Sequence, residues 1–438
     1  MRPIDLPKTG TMLLRNVGVP ATFLARPERF PHGEEVLRLD IAIEQGRIAY
    51  LLPAAYRAPA AGGIDLDGGM AWPCFADIHT HLDKGHIWPR TANPDGARLS
   101  ALGAVARDRE AFWSAEDVAR RMEFGLRCAR AHGAMAIRTH LDSQGKQAEI
   151  TWPVFRAMRD AWAGRIALEA VSLATIESYR DGNFATSLAR MVADSRGILG
   201  AVTYLVPDLD PLLDRVFGLA EANDLDLDFH VDETNDFAAA SLGHIAATAL
   251  RRRFRGRIVV GHCCSLALQP EDEAARTIDA VGEAGIAVVS LPMCNLYLQD
   301  RAPGRTPRWR GVTLLHEFAA RGVPVMVASD NCRDPFYAYG DHDPLEVYRE
   351  ATRIAHLDHP VGDWPRAITL TPARMMGIDV PLAEGAPADL VLFAARSFNE
   401  LLSRPQTDRA VLRGGVPIDR TLPDYRELDA LFEGAPRP

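Results

Sequence analysis

The chain has 438 residues, of which 47% are hydrophobic and 24% charged, and its formal net charge is −9. A chain of this length can form one large α/β domain with a smaller appended domain. The negative charge argues against a nucleic-acid-binding surface, and no apolar run approaches the length of a membrane span. We therefore expect a soluble protein that acts on a small molecule, without a nucleic-acid or membrane partner.

The cysteines and the amino-terminal stretch indicate a reducing compartment. The six cysteines are scattered without a C-x-x-C pair, and the first residues lack the apolar core of a signal peptide. We expect free thiols and a cytoplasmic location. A homo-oligomer is the assembly that we expect. Among the 49 basic residues only Lys8, Lys84 and Lys146 are lysines.

Both ends of the chain are rich in predicted strands. The stretch from about Met12 to Asp67 alternates apolar and polar residues with a glycine at a predicted hairpin turn. The segments ADLVLFAA and AVLRGGVPID, which follow Leu382, have the same character. We therefore predict one small β-sandwich domain built from residues 1–69 and 380–438.

The middle of the chain alternates apolar runs with amphipathic helical patterns. The helical segment after Ser114 opens with a capping box at Ser114 and Asp117 and closes at Gly133. The eight apolar runs are AWPCFADIHTH, AMAIRTHLD, RIALEAVSLA, GILGAVTYLV, DLDLDFHVDE, RIVVGHCC, IAVVSLPM and VPVMVASDN. Eight such units predict an α/β fold, a (β/α)₈ TIM-like barrel over residues 70–379. The alternative is a doubly wound sheet, which lacks its glycine-rich phosphate loop here.

The polar residues collect where the predicted strands end. His79 and His81 point the same way because alternate side chains of a strand share a face. The other polar strand-end residues are His140, His230, Glu233, His262 and Asp330. In a barrel such ends face the active site. His79, His81, His230 and Asp330 offer three imidazoles and a carboxylate, a set that suits Zn²⁺ or Fe²⁺. No lysine ends strand four, so we expect one divalent metal ion.

Three of these residues have predicted roles beside the metal. Glu233 lies just past a ligand histidine, where a carboxylate can move a proton between water and substrate. His262 either orients the attacking hydroxide or serves as a fifth ligand, and we favour the first. His140 either lines the pocket or braces the barrel.

The ordered motifs HTH, RTHLD, HVDE, GHCC, NLYLQDR and ASDNCRDPFY resemble the cytosine-deaminase branch of the amidohydrolase superfamily. The resemblance covers residues from about Met70 to Gly377. It implies that His79, His81, His230 and Asp330 bind the metal. It also implies that Glu233 is the proton shuttle and that His262 and Asp330 take part in catalysis.

The resemblance also implies substrate contacts, and some of them differ from the cytosine pattern. Asn295, Gln299 and Phe336 fall in pocket motifs. Leu173 stands where cytosine enzymes carry a glutamine, and Asn331 replaces a second aspartate, so the hydrogen-bonding capacity differs. Lys84 replaces a small polar residue. We expect it to contact a carbonyl or anionic group of the substrate, the alternative being a solvated loop lysine.

The residues and the resemblance together predict a metal-dependent hydrolytic deaminase of an amino-substituted N-heterocycle. Metal-bound hydroxide would attack the ring carbon that bears the amine, with Glu233 as proton shuttle. Candidate rings are a cytosine-like pyrimidine, isocytosine, a triazine, a pterin and a creatinine-like ring. One alternative is a C–N hydrolase that opens a cyclic amide or dealkylates an N-alkylamino heterocycle. Another is a catalytically inactive metal-binding module.

Overall fold

The computed structural model describes residues 6–30, 34–54 and 62–433. The strands are β1 (Met12–Pro20), β2 (Val36–Glu44), β3 (Arg47–Pro53), β4 (Ile64–Asp65), β5 (Ala71–Pro73), β6 (Phe75–Thr80), β7 (Ala134–Asp142), β8 (Ala167–Leu173), β9 (Leu199–Thr203), β10 (Leu227–Val231), β11 (Ile258–His262), β12 (Ala287–Ser290), β13 (Val325–Val327), β14 (Leu390–Leu392), β15 (Ala410–Arg413) and β16 (Val416–Pro417). The α-helices are α1 (Arg98–Phe112), α2 (Ala115–His132), α3 (Gln147–Ala161), α4 (Gly182–Asp194), α5 (Leu209–Ala222), α6 (Ser241–Arg252), α7 (Glu271–Glu283), α8 (Pro292–Leu298), α9 (Leu315–Ala320), α10 (Pro344–Ala355), α11 (Leu370–Met375) and α12 (Phe398–Ser403).

The strands β6 to β13 form a closed ring in chain order. One sheet has the order β6-β7-β8 and a second, parallel sheet contains β9 to β13. Parallel bridges join β8 to β9 (Val171 to Ile198) and the end of β6 to the segment after β13 (Thr80 to Asp330). Each of the eight predicted apolar runs contains one of these strands, and the closure rules out the doubly wound alternative.

The local sequence explains where these elements begin and end. All five residues of β10 are buried, as expected for a strand covered on both faces. The helix α2 begins where predicted, because the hydroxyl of Ser114 accepts from the backbone N–H of Asp117 at 3.2 Å. It ends at Gly133, whose φ of +102° is accessible to glycine.

The chain divides into two compact units, and the first contains Met1–Ala76, Cys128–Met135 and Asp343–Leu422. This unit has two four-stranded sheets, ordered β3-β2-β1-β4 and β16-β15-β14-β5. The predicted hairpin glycine is Gly46, which lies between β2 and β3 with a φ of +78°. The core of the unit centres on Trp72, which is fully buried and packs edge-on against Phe23 with ring centroids 5.0 Å apart.

The second unit contains Asp77–Arg127, Ala136–His342 and Pro423–Pro438, and it holds all the predicted site residues. The predicted boundary between residues 379 and 380 differs from this division, which assigns Asp343–Leu422 to the first unit and Pro423–Pro438 to the second. Parts of the predicted segments 1–69 and 380–438 lie outside the described residues. The six cysteines are buried free thiols, as predicted. Among the described residues, no helix combines the length and the apolar character that crossing a membrane requires.

Candidate active site

The four predicted metal ligands lie together at the carboxyl ends of the barrel strands. The Nε2 atoms of His79 and His230 are 3.2 Å apart, and those of His230 and His81 are 3.3 Å apart. The carboxylate of Asp330 lies 3.1 Å from Nε2 of His81 and 3.6 Å from Nε2 of His79. All four side chains are buried.

The donor set fits a divalent cation. Burial lowers the pKa of His79 and His230 well below the ordinary histidine value, and neighbouring imidazoles lower it further. Burial would raise the pKa of Asp330, but contact with His81 and the nearby His262 hold it at about 2. Neutral imidazole nitrogens therefore face one another and an ionised carboxylate. A cation satisfies these converging lone pairs at once, and the spacing of the donors matches a coordination shell.

The backbone of the site adopts conformations that most side chains avoid. Asp330 and His262 have φ values of +61° and +68°, in a region where Asp and His are enriched among residues other than glycine. A side chain at Gly261 would place its Cβ 2.9 Å from the ring of His79. The glycine before His262 therefore makes room for the ligand imidazole on β6.

His262 lies beside the metal donors and is held by a polar partner. One of its ring nitrogens, one imidazole nitrogen each of His79 and His230, and one carboxylate oxygen of Asp330 all lie within 4.8 Å of one another. Its Nδ1 atom is 2.9 Å from the amide nitrogen of Asn295. The same amide nitrogen is 3.5 Å from Oε1 of Glu233. Because a carboxylate only accepts, the amide group of Asn295 faces both neighbours as a donor.

Glu233 lies just past β10, as expected, and has a partner that the sequence did not indicate. The guanidinium of Arg98 donates from Nε to Oε2 of Glu233 at 3.0 Å. The side chain of Glu233 is 10% exposed and that of Arg98 is 34% exposed. Arg98 is the first residue of α1 and lies 135 residues from Glu233 in the chain.

A cavity of about 700 Å³ opens next to these residues. Four predicted substrate contacts line it: Lys84, Leu173, Asn331 and Phe336. His81, His230, Glu233, His262 and Asp330 also line it. One face of α1 contributes further lining residues, namely Arg98, Leu102, Val105, Ala106 and Arg109. The volume is in the range of small-molecule sites.

Lys84 is buried in a charged network instead of being a solvated loop lysine. Its Nζ atom lies 2.9 Å from Oδ1 of Asp142, whose other oxygen accepts from Arg109 at 2.8 Å. Burial would lower the pKa of Lys84, but Asp142 and Asp83 raise it above the ordinary value. The ammonium therefore remains charged at the cavity wall, 5.5 Å from the ring centroid of Phe336.

Asn331 is oriented by a neighbour on its own loop. Its amide nitrogen donates to Oδ2 of Asp334 at 2.7 Å. Burial raises the pKa of Asp334 to about 7, and the hydrogen bond from Asn331 opposes this. Because the amide nitrogen is bound to Asp334, the amide oxygen of Asn331 is the end that is turned away from it.

Other predicted residues lie away from the cavity wall. Asn295 is fully buried behind Glu233 and His262, and Gln299 is buried against Gly311. Neither lines the cavity, so the structure does not bring these two residues to a substrate position. His140 is also absent from the lining. Its ring lies 3.9 Å from that of His79, centroid to centroid, so it braces the ligand imidazole.

A ring of β/α units with a His₃Asp donor set at its carboxyl end defines a metal-dependent hydrolase of the TIM-barrel type. A family model described as "Amidohydrolase family" matches residues 114–419. The chain belongs to this family.

Individual relatives extend the comparison over nearly the whole chain. It is 55% identical over 428 residues to a pterin deaminase of Rhizobium rhizogenes (strain K84), covering 97% of this chain and 98% of the relative. It is 23% identical to N-isopropylammelide isopropyl amidohydrolase of Pseudomonas sp. (strain ADP), covering 82% and 88%. The fold matches that of 5-methylcytosine deaminase from Klebsiella pneumoniae, with a TM-score of 0.80, 22% identity, and 94% and 98% coverage.

The predicted family and function class are confirmed. The protein is a metal-dependent hydrolase of C–N bonds other than peptide bonds, and its reaction is the hydrolytic deamination of an N-heterocycle. The group of histidines and aspartate that could hold a metal ion agrees with the metal dependence of the family.

Proposed function

We propose that the chain deaminates a pterin. Water replaces the exocyclic amine of the fused 2-amino-4-oxo ring, giving the 2,4-dioxo compound and ammonia. The observation that carries the proposal is the 55% identity to a pterin deaminase over 97% of the chain.

The cavity supports a ring larger than a single pyrimidine. Its volume of about 700 Å³ exceeds what one six-membered ring fills, and Leu173 gives part of its wall an apolar character. A leucine cannot pair with the edge of a pyrimidine, whereas it can pack against the face or edge of a fused second ring. This agrees with a bicyclic substrate in place of cytosine.

We assign one divalent ion, Zn²⁺ or Fe²⁺, to His79, His81, His230 and Asp330. When bound there, the ion lowers the pKa of a water ligand towards neutrality and supplies hydroxide at neutral pH. Four of the six distances between these donor atoms are 3.1 to 3.6 Å, a spacing that suits ligation.

We assign the proton movements to Glu233. Its carboxylate takes a proton from the attacking water and delivers it to the ring nitrogen next to the amine-bearing carbon. The carboxylate then takes the proton of the hydroxyl group that has added to the ring carbon and passes it to the amine, which leaves as ammonia while the carbonyl forms. Arg98 and Asn295 fix the carboxylate, since each contacts one of its two oxygens.

We assign His262 the role of hydrogen-bond donor and not of metal ligand. Because Nδ1 accepts from the Asn295 amide, the imidazole proton is on Nε2. Nε2 has no hydrogen-bond partner among the described residues. A protonated Nε2 cannot ligate a metal, but it can donate to the oxygen that adds to the ring.

Lys84, Asn331 and Phe336 are assigned to substrate orientation. The Lys84 ammonium is charged and lines the cavity, so it can donate to the ring carbonyl. The ring of Phe336 can pack against the heterocycle. Asn331 presents its amide oxygen, which also lies 3.6 Å from the sulfur of Cys294, because its amide nitrogen is bound to Asp334.

The test measures ammonia release by the metal-reconstituted enzyme. We expect stoichiometric ammonia and dioxo product from pterin, and weaker or no release from cytosine and isocytosine. Glu233→Gln is the matched control, since it should keep the metal and lose turnover. Loss of an alkylamine from N-alkylaminotriazines, or ring opening of cyclic amides, without ammonia from pterin would overturn the proposal. Full metal loading with no turnover would indicate a binding module.

We further propose that the two four-stranded sheets of the first unit form the predicted small β-sandwich. The predicted homo-oligomeric state and cytoplasmic location stay predictions. Light scattering of the purified protein and fractionation of cells that produce it would test them.

A further inference from the structure

A second group of metal-ligating side chains shares no residue with the catalytic donors. His86, Cys332 and His342 are buried, with exposed fractions of 1%, 1% and 2%. One imidazole nitrogen of each histidine and the thiol sulfur lie within 4.8 Å of one another. None of the three lines the substrate cavity, and the mechanism above uses none of them.

The hydrogen bonding of His86 is incomplete. Neither of its ring nitrogens has a hydrogen-bond partner among the described residues. Its ring packs edge-on against Phe124 at 4.8 Å between centroids and lies 5.6 Å from the ring of His342. A buried polar group without a partner costs about 1–3 kcal/mol. A buried imidazole without hydrogen-bond partners therefore indicates that a ligand binds its ring nitrogens.

The backbone holds the three side chains towards one another. The backbone N–H of His86 donates to the carbonyl of Cys332 at 3.0 Å, and that of Trp88 donates to Arg333 at 2.8 Å. The loop after β6 is thereby bound to the loop after β13. His86 and His342 both have positive φ values, +64° and +54°. Such conformations persist only where the surroundings enforce them.

A glycine on α2 allows the imidazole of His342 to take its position in the group. A Cβ at Gly125 on α2 would lie 3.0 Å from Nε2 of His342. The other ring nitrogen of His342 is 3.5 Å from the hydroxyl of Thr80. The glycine therefore lets the His342 ring pack closely against α2, where any side chain at position 125 would collide with it.

We propose that His86, Cys332 and His342 form a second metal site, which binds a zinc-class divalent cation. One thiolate and two imidazoles are the donors that zinc prefers in structural sites. Zinc–ligand bonds of about 2.0–2.3 Å place tetrahedral donor atoms about 3.3–3.8 Å apart, so donor atoms that lie within 4.8 Å of one another close by at most about 1.5 Å on binding. The thiol proton is released to solvent as the cation binds, and water can take the fourth position.

The cation would join the two loops that shape the substrate cavity. Lys84 lies between His81 and His86, and Phe336 lies between Cys332 and His342. The site would therefore have a structural role, and it does not depend on which ring the enzyme deaminates.

The test counts metal and uses cobalt as a probe. The zinc-reconstituted wild-type enzyme, dialysed free of loose metal, should contain two equivalents per chain, and Cys332→Ser should contain one. Titration of the metal-free enzyme with Co²⁺ should produce a near-ultraviolet thiolate-to-cobalt charge-transfer band. The proposed catalytic ligands include no cysteine, and Cys294, whose thiol contacts Asp330 beside them, is tested by the control variant.

Cys294→Ser is the matched control, because Cys294 is a buried cysteine whose sulfur lies 3.6 Å from Oδ1 of Asn331. The band should persist in Cys294→Ser and disappear in Cys332→Ser. One zinc equivalent and no band in the wild-type enzyme would overturn the proposal, even if Cys332→Ser failed to fold. Loss of the band in Cys294→Ser but not in Cys332→Ser would also overturn it.

Discussion

Arg98 and Glu233 form an ion pair in the lining of the substrate cavity, with Nε of the guanidinium 3.0 Å from Oε2 of the carboxylate. Glu233 is nearly buried, whereas Arg98 is one-third exposed and starts a helix. In the turn that precedes this helix, the backbone N–H of Ala97 donates to Oδ1 of Asp95 at 2.8 Å. The carboxylate of Glu233 is thus held from the solvent side by a residue on a different segment.

Arg98 is therefore expected to act as a positioning residue for Glu233. Arg98→Gln should lower kcat about tenfold and change KM less, because a misplaced carboxylate impairs proton transfer more than binding. Arg98→Lys should recover part of the loss by keeping a cation there. Steady-state kinetics with pterin measure both values. A variant Arg98→Gln with the wild-type kcat would show that the ion pair has no part in the reaction.

Lys84 provides a test of substrate recognition. Lys84→Met should lower kcat/KM about a hundredfold, since the buried cation can no longer donate to a substrate carbonyl. Lys146→Met is the matched control, because Lys146 is an exposed lysine outside the cavity lining and its replacement should have little effect. An unchanged kcat/KM in Lys84→Met would reduce Lys84 to a structural partner of Asp142.

Asn295 provides a test of the His262 tautomer. Asn295→Asp should reverse the hydrogen bond, because a carboxylate accepts from Nδ1 and leaves Nε2 without its proton. The donor to the attacking oxygen is then lost, and kcat should fall about a hundredfold, in the range measured for such donors. Metal content, measured in parallel, should stay at the wild-type value. Wild-type kcat in Asn295→Asp would contradict the assigned tautomer.

The first unit should lose stability in acid through one buried ion pair. Arg409 donates to both carboxylate oxygens of Asp343, at 2.8 and 2.5 Å. Burial would raise the pKa of Asp343, but Arg409 and His132 lower it to about 2. An unfolded aspartate titrates near pH 3.9. The pair's contribution is therefore complete above about pH 5 and is lost as the pH falls towards 2.

Asp343→Asn should lower the free energy of unfolding by about 3–5 kcal/mol at neutral pH, because Arg409 is left buried without its counter-charge. It should also flatten the loss of stability between pH 5 and 2. Denaturant unfolding at several pH values measures both effects. The control is Asp272→Asn, which removes an exposed pair with Arg276 and should change stability by less than about 1 kcal/mol. Equal effects of the two variants would contradict the assignment.

The sequence was sufficient for those features that depend on local pattern. The eight strands follow from apolar runs of the sequence. The candidate metal ligands follow from polar residues at the ends of these runs. The proximity of His79 and His230 could therefore be predicted from the sequence. The start of α2 at Ser114 followed from its capping residues in the same way.

Features that depend on side chains from distant segments could not be predicted. The pairing of Arg98 with Glu233 has no local signal, since 135 residues separate them and the arginine lies in an unremarkable stretch. Asp142 was part of a quoted motif, but its contact with Lys84 needs the geometry of two adjacent strands. Asn295 was assigned to the substrate from motif position alone, whereas the structure places its amide behind the catalytic residues.

One face of α1 lines the substrate cavity. At one end of this face Arg98 donates to Glu233, and at the other Arg109 donates to Asp142, the partner of Lys84. The side chains between them, Leu102, Val105 and Ala106, contact neither the metal donors nor the proton shuttle in any hydrogen bond or ion pair. We therefore expect that substrate range can be changed separately from the metal chemistry. A library confined to those three positions would explore new heterocycles while leaving the hydrolytic machinery intact.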